Sequence, residues 1–186
     1  ELCMFQPYLV SSSMSSCIVS DAVKDLLRHN SLKVVNHLNL VNGILHCQFM
    51  VNSKGLKILE YTRRMSGDLY SQVVKSVRGI RHADLFIASV LGERLSPLIK
   101  PTLSQQAYVS RHCITATESG KFEGIWISDR LRPNIQSITP ILTHGKVVSN
   151  DGRSKVAVVI AQFSTENEML ESVLEYPKLM KCRVTQ

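Results

Sequence analysis

Two strand-forming runs, Ile44 to Val51 and Leu56 to Thr62, flank the turn-rich stretch Asn52-Ser53-Lys54-Gly55. That pattern leaves a β-hairpin as the simplest local structure. The loop length sets the register. A two- or four-residue loop would pair Gln48 with Leu59 and put Glu60 on the other face. A three-residue loop, Ser53-Lys54-Gly55 with Gly55 left-handed, predicts Gln48 opposite Glu60 and His46 opposite Thr62. Alternation then keeps Arg64 on the same side. One face would hold His46, Gln48, Glu60, Thr62 and Arg64, backed by Leu45, Cys47, Phe49, Leu59 and Tyr61. The following Ser66-Gly67-Asp68 predicts a helix start whose free N–H groups could hold an anion. Taken as residues alone, a hairpin with one solvated face accounts for all of this without chemistry, and the Arg63-Arg64 pair reads as a solvated patch.

Elsewhere the pattern predicts an α+β chain, an antiparallel sheet with flanking helices. Met4 to Val10 reads as an edge strand interrupted by Pro7, and Ser11-Ser12-Ser13 as a loop. Helical spacing begins at Ser20 with Ala22, Val23, Leu26 and Leu27, and a second helical stretch runs from Leu32 to Leu38. Helices are predicted over Asp68–Val77 and Ala83–Leu91, before a linker marked by Pro97 and Pro101. Strands follow at Tyr108–Thr117 and Phe122–Ile127. Another pair, Lys146–Ser149 and Lys155–Gln162, is expected to turn at Asn150-Asp151-Gly152, because Asp-Gly favours hairpins. Thr165 and Glu168 form a capping box for a helix through Leu174, and Met180 to Thr185 closes as a strand. The division expected is 1–96 and 97–186.

Composition narrows the function. At 186 residues and 44% hydrophobic, the chain can bury a core without a metal or disulfide staple. No apolar run approaches the ~20 residues of a membrane span, and the start lacks the plan of a signal peptide. The five cysteines are scattered, so buried free thiols and a soluble, cytoplasmic protein are expected. A net charge of +7 suits an anionic partner. With 6% aromatic residues and no basic-aromatic interleaving, nucleic acid is not the expected one. His112 and His144 have no partner at a metal-like spacing, and Arg78, Arg81 and Arg111 read as surface residues. The sequence begins at Glu1, without Met, and reads as a piece of a longer protein.

The segment from Leu32 to Gly92 resembles the ATP-grasp superfamily, in the nucleotide-binding second lobe of its amino-acid and small-carboxylate ligases. Gly43, His46 and Phe49 match the first strand of the family pattern, and Glu60 and Arg64 match the second. Gln48 stands where a Glu is usual, and Thr62 where an Asn is usual. Gly67-Asp68 resembles the Gly-rich step into the next helix, and Leu38 to Gly43 resembles the lead-in, with Asn39 replacing a Gly. The C-terminal strands resemble the small β-rich lobe that follows the core.

That resemblance implies ATP and Mg²⁺ (Mn²⁺ as a substitute), small-molecule carboxylate and amine substrates, and activation of the acid as an acyl phosphate. It implies Glu60 as the main metal ligand, Gln48 and Thr62 as weaker ones, and Arg64 as the catalytic cation. His46, Gly67 and Asp68 would contact the nucleotide. The first lobe, with its phosphate-binding lysines, has no counterpart before Ser31, so the chain alone is expected to be inactive. The neutral Gln48 and Thr62 also admit another reading, a degenerate remnant that serves as a binding or scaffold module. The C-terminal strands could cover the core or pair with a second copy as a homodimer.

Overall fold

The computed structural model describes residues 1–15, 19–99 and 107–186. Along the chain run β1 (Ser12–Met14), α1 (Asp21–His37), β2 (His46–Asn52), β3 (Gly55–Thr62), α2 (Tyr70–Arg78) and α3 (His82–Val90). Then come β4 (Tyr108–Thr115), β5 (Gly120–Ile127), β6 (Ile135–Pro140), β7 (Val147–Val148), β8 (Lys155–Phe163), α4 (Glu166–Leu174), α5 (Tyr176–Leu179) and β9 (Met180–Thr185). The fold is α+β, with antiparallel sheets and flanking helices. Two compact units result: Glu1–Ser16 with Gln105–Gln186, and Cys17–Ser104.

The first unit is organised by β8. Its run Val156-Ala157-Val158-Val159-Ile160-Ala161 is buried throughout, the mark of a central strand covered on both faces. A four-stranded antiparallel sheet, β1-β4-β8-β6, forms around it, beside a three-stranded sheet, β7-β5-β9. Met169 and Val173 of α4, with Tyr176 and Leu179 of α5, join the core. Gly120 is required where it stands, since a Cβ there would lie 2.3 Å from the Thr185 carbonyl oxygen of β9.

Four expectations change in this unit. Ser11–Ser13 is no loop: Ser12 and Ser13 lie in β1 paired with β4, and all three serines are buried. Met4–Val10 forms no strand: one isolated bridge, Gln6 to Leu9, lies within it, and another, Leu2 to Ser12, brackets it. The Asp151-Gly152 turn joins no hairpin, because β7 pairs with β5 while β8 pairs with β4 and β6. Arg111 is not on the surface, being only 1% exposed within β4. For the serines, the Asp-Gly turn and Arg111, long-range sheet pairing overrides a local signal.

The capping box does form: Thr165 Oγ1 accepts the Glu168 N–H, and Glu168 Oε2 accepts the Thr165 N–H. Thr165→Ala should cost about 1 kcal/mol, read as a lowered urea midpoint at unchanged slope.

In the second unit, the two predicted helical stretches merge into the 17-residue α1. Ser31 of α1 hydrogen-bonds the Tyr61 hydroxyl of β3 at 3.2 Å, tying helix to hairpin. Cys3, Cys47, Cys113 and Cys182 are free thiols, and Cys17 lies outside the described residues. Among the described residues, no helix is long and apolar enough to cross a membrane.

Candidate functional site

β2 and β3 pair as an isolated antiparallel hairpin. Its turn differs from the expected one. Asn52 pairs with Gly55, so only Ser53 and Lys54 form the loop, and Asn52 Oδ1 accepts the Lys54 N–H at 2.8 Å. Gly55 takes a positive φ of 98°. A two-residue loop alone would leave Glu60 out of register with Gln48. A bulge further along restores it: Phe49 pairs with Ile58, Gln48 with Glu60, and Leu59 is the extra residue. Leu59 is accordingly 55% exposed rather than part of the apolar face, which Cys47, Phe49 and Tyr61 still supply half-buried.

Beyond the bulge, His46 sits opposite Thr62 and Gln48 opposite Glu60. Directly opposed residues two apart along a strand share a face, so these four side chains stand together. His46 Nδ1 and Thr62 Oγ1 are 3.4 Å apart. Gln48 and Glu60 are exposed, and the Glu60 carboxylate has no hydrogen-bond or ion-pair partner among the described residues.

Arg64 lies past the end of β3, so strand alternation does not aim it. Its Nη1 donates to the Met65 carbonyl at 2.9 Å and sits 4.0 Å from where a Gly67 Cβ would be. The guanidinium therefore borders Gly67. That glycine is not sterically demanded. The helix after it starts at Tyr70 rather than at Ser66-Gly67-Asp68. Asp68 Oδ1 accepts the Tyr70 N–H at 3.2 Å, which occupies one of the donors an anion could use. Leu69, between them, has a φ of 64°, a left-handed backbone uncommon for a bulky residue.

Arg63 is the residue that sequence reasoning undervalued. Its Nη2 donates to the Asn42 carbonyl, and a Cβ on Gly43 would lie 2.8 Å from that nitrogen. Arg63 thus clamps the lead-in of β2 to the end of β3, and Gly43, at φ 125°, is the residue that admits it. Gly43 was the available signal.

Among the described residues, no group of three or more His, Cys, Asp and Glu gathers as a metal cluster. The face does offer hard oxygen donors: one carboxylate, one amide and one hydroxyl. That set fits a Mg²⁺ ion that takes one carboxylate from protein and its other ligands from phosphates and water.

No family model matches the sequence, and no curated protein matches it. Solved structures do. The chain is similar to phosphoribosylglycinamide synthetase from Anaerococcus prevotii, with a TM-score of 0.77 and 14% identity over 94% of this chain and 45% of that one. The fold is that of the ATP-grasp ligases. L-amino acid ligase from Bacillus licheniformis gives 0.76 and 13% identity, over 97% of this chain and 47% of that one. The biotin carboxylase domain of Hydrogenobacter thermophilus 2-oxoglutarate carboxylase, solved with MgADP and bicarbonate, gives 0.63 and 14%, over 93% and 39%. The chain spans under half the length of these ATP-grasp structures.

Proposed function

We propose that this chain is the metal- and phosphate-binding part of an ATP-dependent, ATP-grasp ligase that joins a small carboxylate to an amine. The observation that carries the reading is the register of the hairpin, which puts Gln48 against Glu60 and His46 against Thr62 on one face. The fold shared with two ligases supports it.

In this reading the γ-phosphoryl group passes to a carboxylate oxygen, giving an acyl phosphate and ADP, and the amine then displaces phosphate. Glu60 is the principal metal ligand, with Gln48 and Thr62 as neutral oxygen ligands. Mg²⁺ held there neutralises phosphate charge. Arg64 contributes a fixed positive charge to the transferring phosphoryl group and the acyl phosphate. His46 and the Gly67-Asp68 step contact the nucleotide, and Arg63 positions the strand ends. The unit Cys17–Ser104 carries this site, and Glu1–Ser16 with Gln105–Gln186 forms the β-rich unit.

Calorimetric titration of the polypeptide that carries this chain with ATP, with and without Mg²⁺, tests the proposal. Micromolar binding that needs Mg²⁺ is expected, and Glu60→Ala should weaken it 10- to 100-fold. The second reading, a degenerate ATP-grasp module used for binding or scaffolding, is favoured by the neutral Gln48 and Thr62, which leave one carboxylate on the face. Absence of Mg²⁺-dependent binding by the folded protein would select it.

A further inference from the structure

The unit Cys17–Ser104 has little core for its length. Among the described residues it buries three apolar side chains, Val73, Leu85 and Ala88, against 21 in the other unit. None of the 17 residues of α1 is buried, and β2 with β3 makes a sheet of two strands, which seldom holds together alone. A segment of this size normally folds by removing most of its apolar surface from water. In this unit much of that surface stays outside.

The exposure concentrates on α3. That helix is apolar nearly all round, with His82, Asp84 and Ser89 its only polar residues, which is the composition of a helix covered on every side. Leu85 and Ala88 are buried along one side. Phe86, Ile87, Val90 and, at the cap, Leu91 are 39%, 57%, 70% and 67% exposed. Their spacing of one, four and five residues makes a continuous stripe. Single exposed apolar residues are ordinary, whereas four side by side mark a contact surface.

Geometry and length narrow the occupant. The nine residues of α3 span only ~13 Å, so two copies of this face meeting each other would fall well short of the ~1,200 Å² of a stable interface. A larger body fits better. The chain spans 45% and 47% of the two similar ligases, so more than half of each lies outside it. We propose that the α3 stripe is the docking face for the part of an ATP-grasp ligase that these 186 residues do not span. This rests on the ligase reading above. Docking buries Phe86, Ile87, Val90 and Leu91 and supplies the core that the unit carrying Glu60 and Arg64 lacks.

The test places Ile87→Glu with Val90→Glu in two proteins, the 186-residue chain and the full polypeptide that carries it. Thermal unfolding and sedimentation are measured for each. In the full polypeptide the double variant should lower Tm by at least about 5 °C, because two carboxylates would be buried without partners. The milder Val90→Ser should lower it by less, which keeps the test readable if the double variant does not fold. In the 186-residue protein, expected to be monomeric, neither change should move Tm. An unchanged Tm in the full polypeptide would overturn the proposal and make the stripe free surface. An equal fall in both proteins would overturn it by showing that the stripe is covered within the chain. Dimers of the 186-residue protein that Ile87→Glu with Val90→Glu dissociates would overturn it in favour of a second copy. The readout needs no nucleotide, so it stands or fails separately from the Mg²⁺-ATP titration.

Discussion

Lowering the pH from 6.5 to 4 should cost the protein about 3 kcal/mol of stability through a single side chain, His112. Its ring is fully buried in β4, with Nδ1 2.8 Å from Ser12 Oγ and Nε2 2.7 Å from Ser110 Oγ. Desolvation, and secondly the charge of neighbouring Arg111, push its pKa down from 6.5 to about 3. The unfolded chain therefore takes up a proton near pH 6.5 that the folded chain refuses until about pH 3. Between those values the unfolded state binds more protons, so stability falls as the pH falls and is restored as it rises. Urea unfolding at pH 7, 5.5 and 4 reads the slope directly. His112→Gln, which has no titrating ring, should flatten it. An equally steep slope in the variant would assign the acid sensitivity to other groups.

The other large effect is expected at Tyr176, the side chain against which His112 packs. The two rings stack with centroids 5.3 Å apart and planes 18° from parallel, and Phe5 meets Tyr176 edge-on at 5.9 Å. Tyr176 is 1% exposed, and its hydroxyl donates to the Cys113 carbonyl of β4. Tyr176→Ala would open a cavity between the two sheets and α5 while leaving that carbonyl without its donor. A loss of about 3–5 kcal/mol is expected. Tyr176→Phe keeps the ring and should cost roughly 1–2 kcal/mol. Comparing the two by urea midpoint separates packing from the hydrogen bond. A near-neutral Tyr176→Ala would mean that the neighbouring aromatic rings collapse into the space.

The two parts of the molecule differ in how far they could be read beforehand. The helix at Glu166–Leu174 announces itself through Thr165 and Glu168, whose hydrogen bonds span three residues. The hairpin was legible for the same reason, since its partners lie close in sequence. Even there the pairing of Gln48 with Glu60 came out as expected while its cause did not. The compensating bulge falls at Leu59, four residues past Gly55, and Leu59 carries no bulge-forming signature of its own. The serines at positions 11–13 look like loop residues, but they pair with partners about 100 residues away. Nothing near them records that pairing. Arg111 looked like one more surface cation for a similar reason. Its burial depends on β4 lying inside a sheet.

The sequence by itself therefore determined the α+β character, the capped helix, the polar face of the hairpin and the resemblance to the ATP-grasp family. All of these rest on residues within a few turns of one another, where propensity and side-chain spacing act directly. Only the tertiary structure decided the strand order β1-β4-β8-β6 and the burial of Arg111 and His112. Those features come from contacts between distant segments, chosen by the apolar surface that the whole fold removes from water.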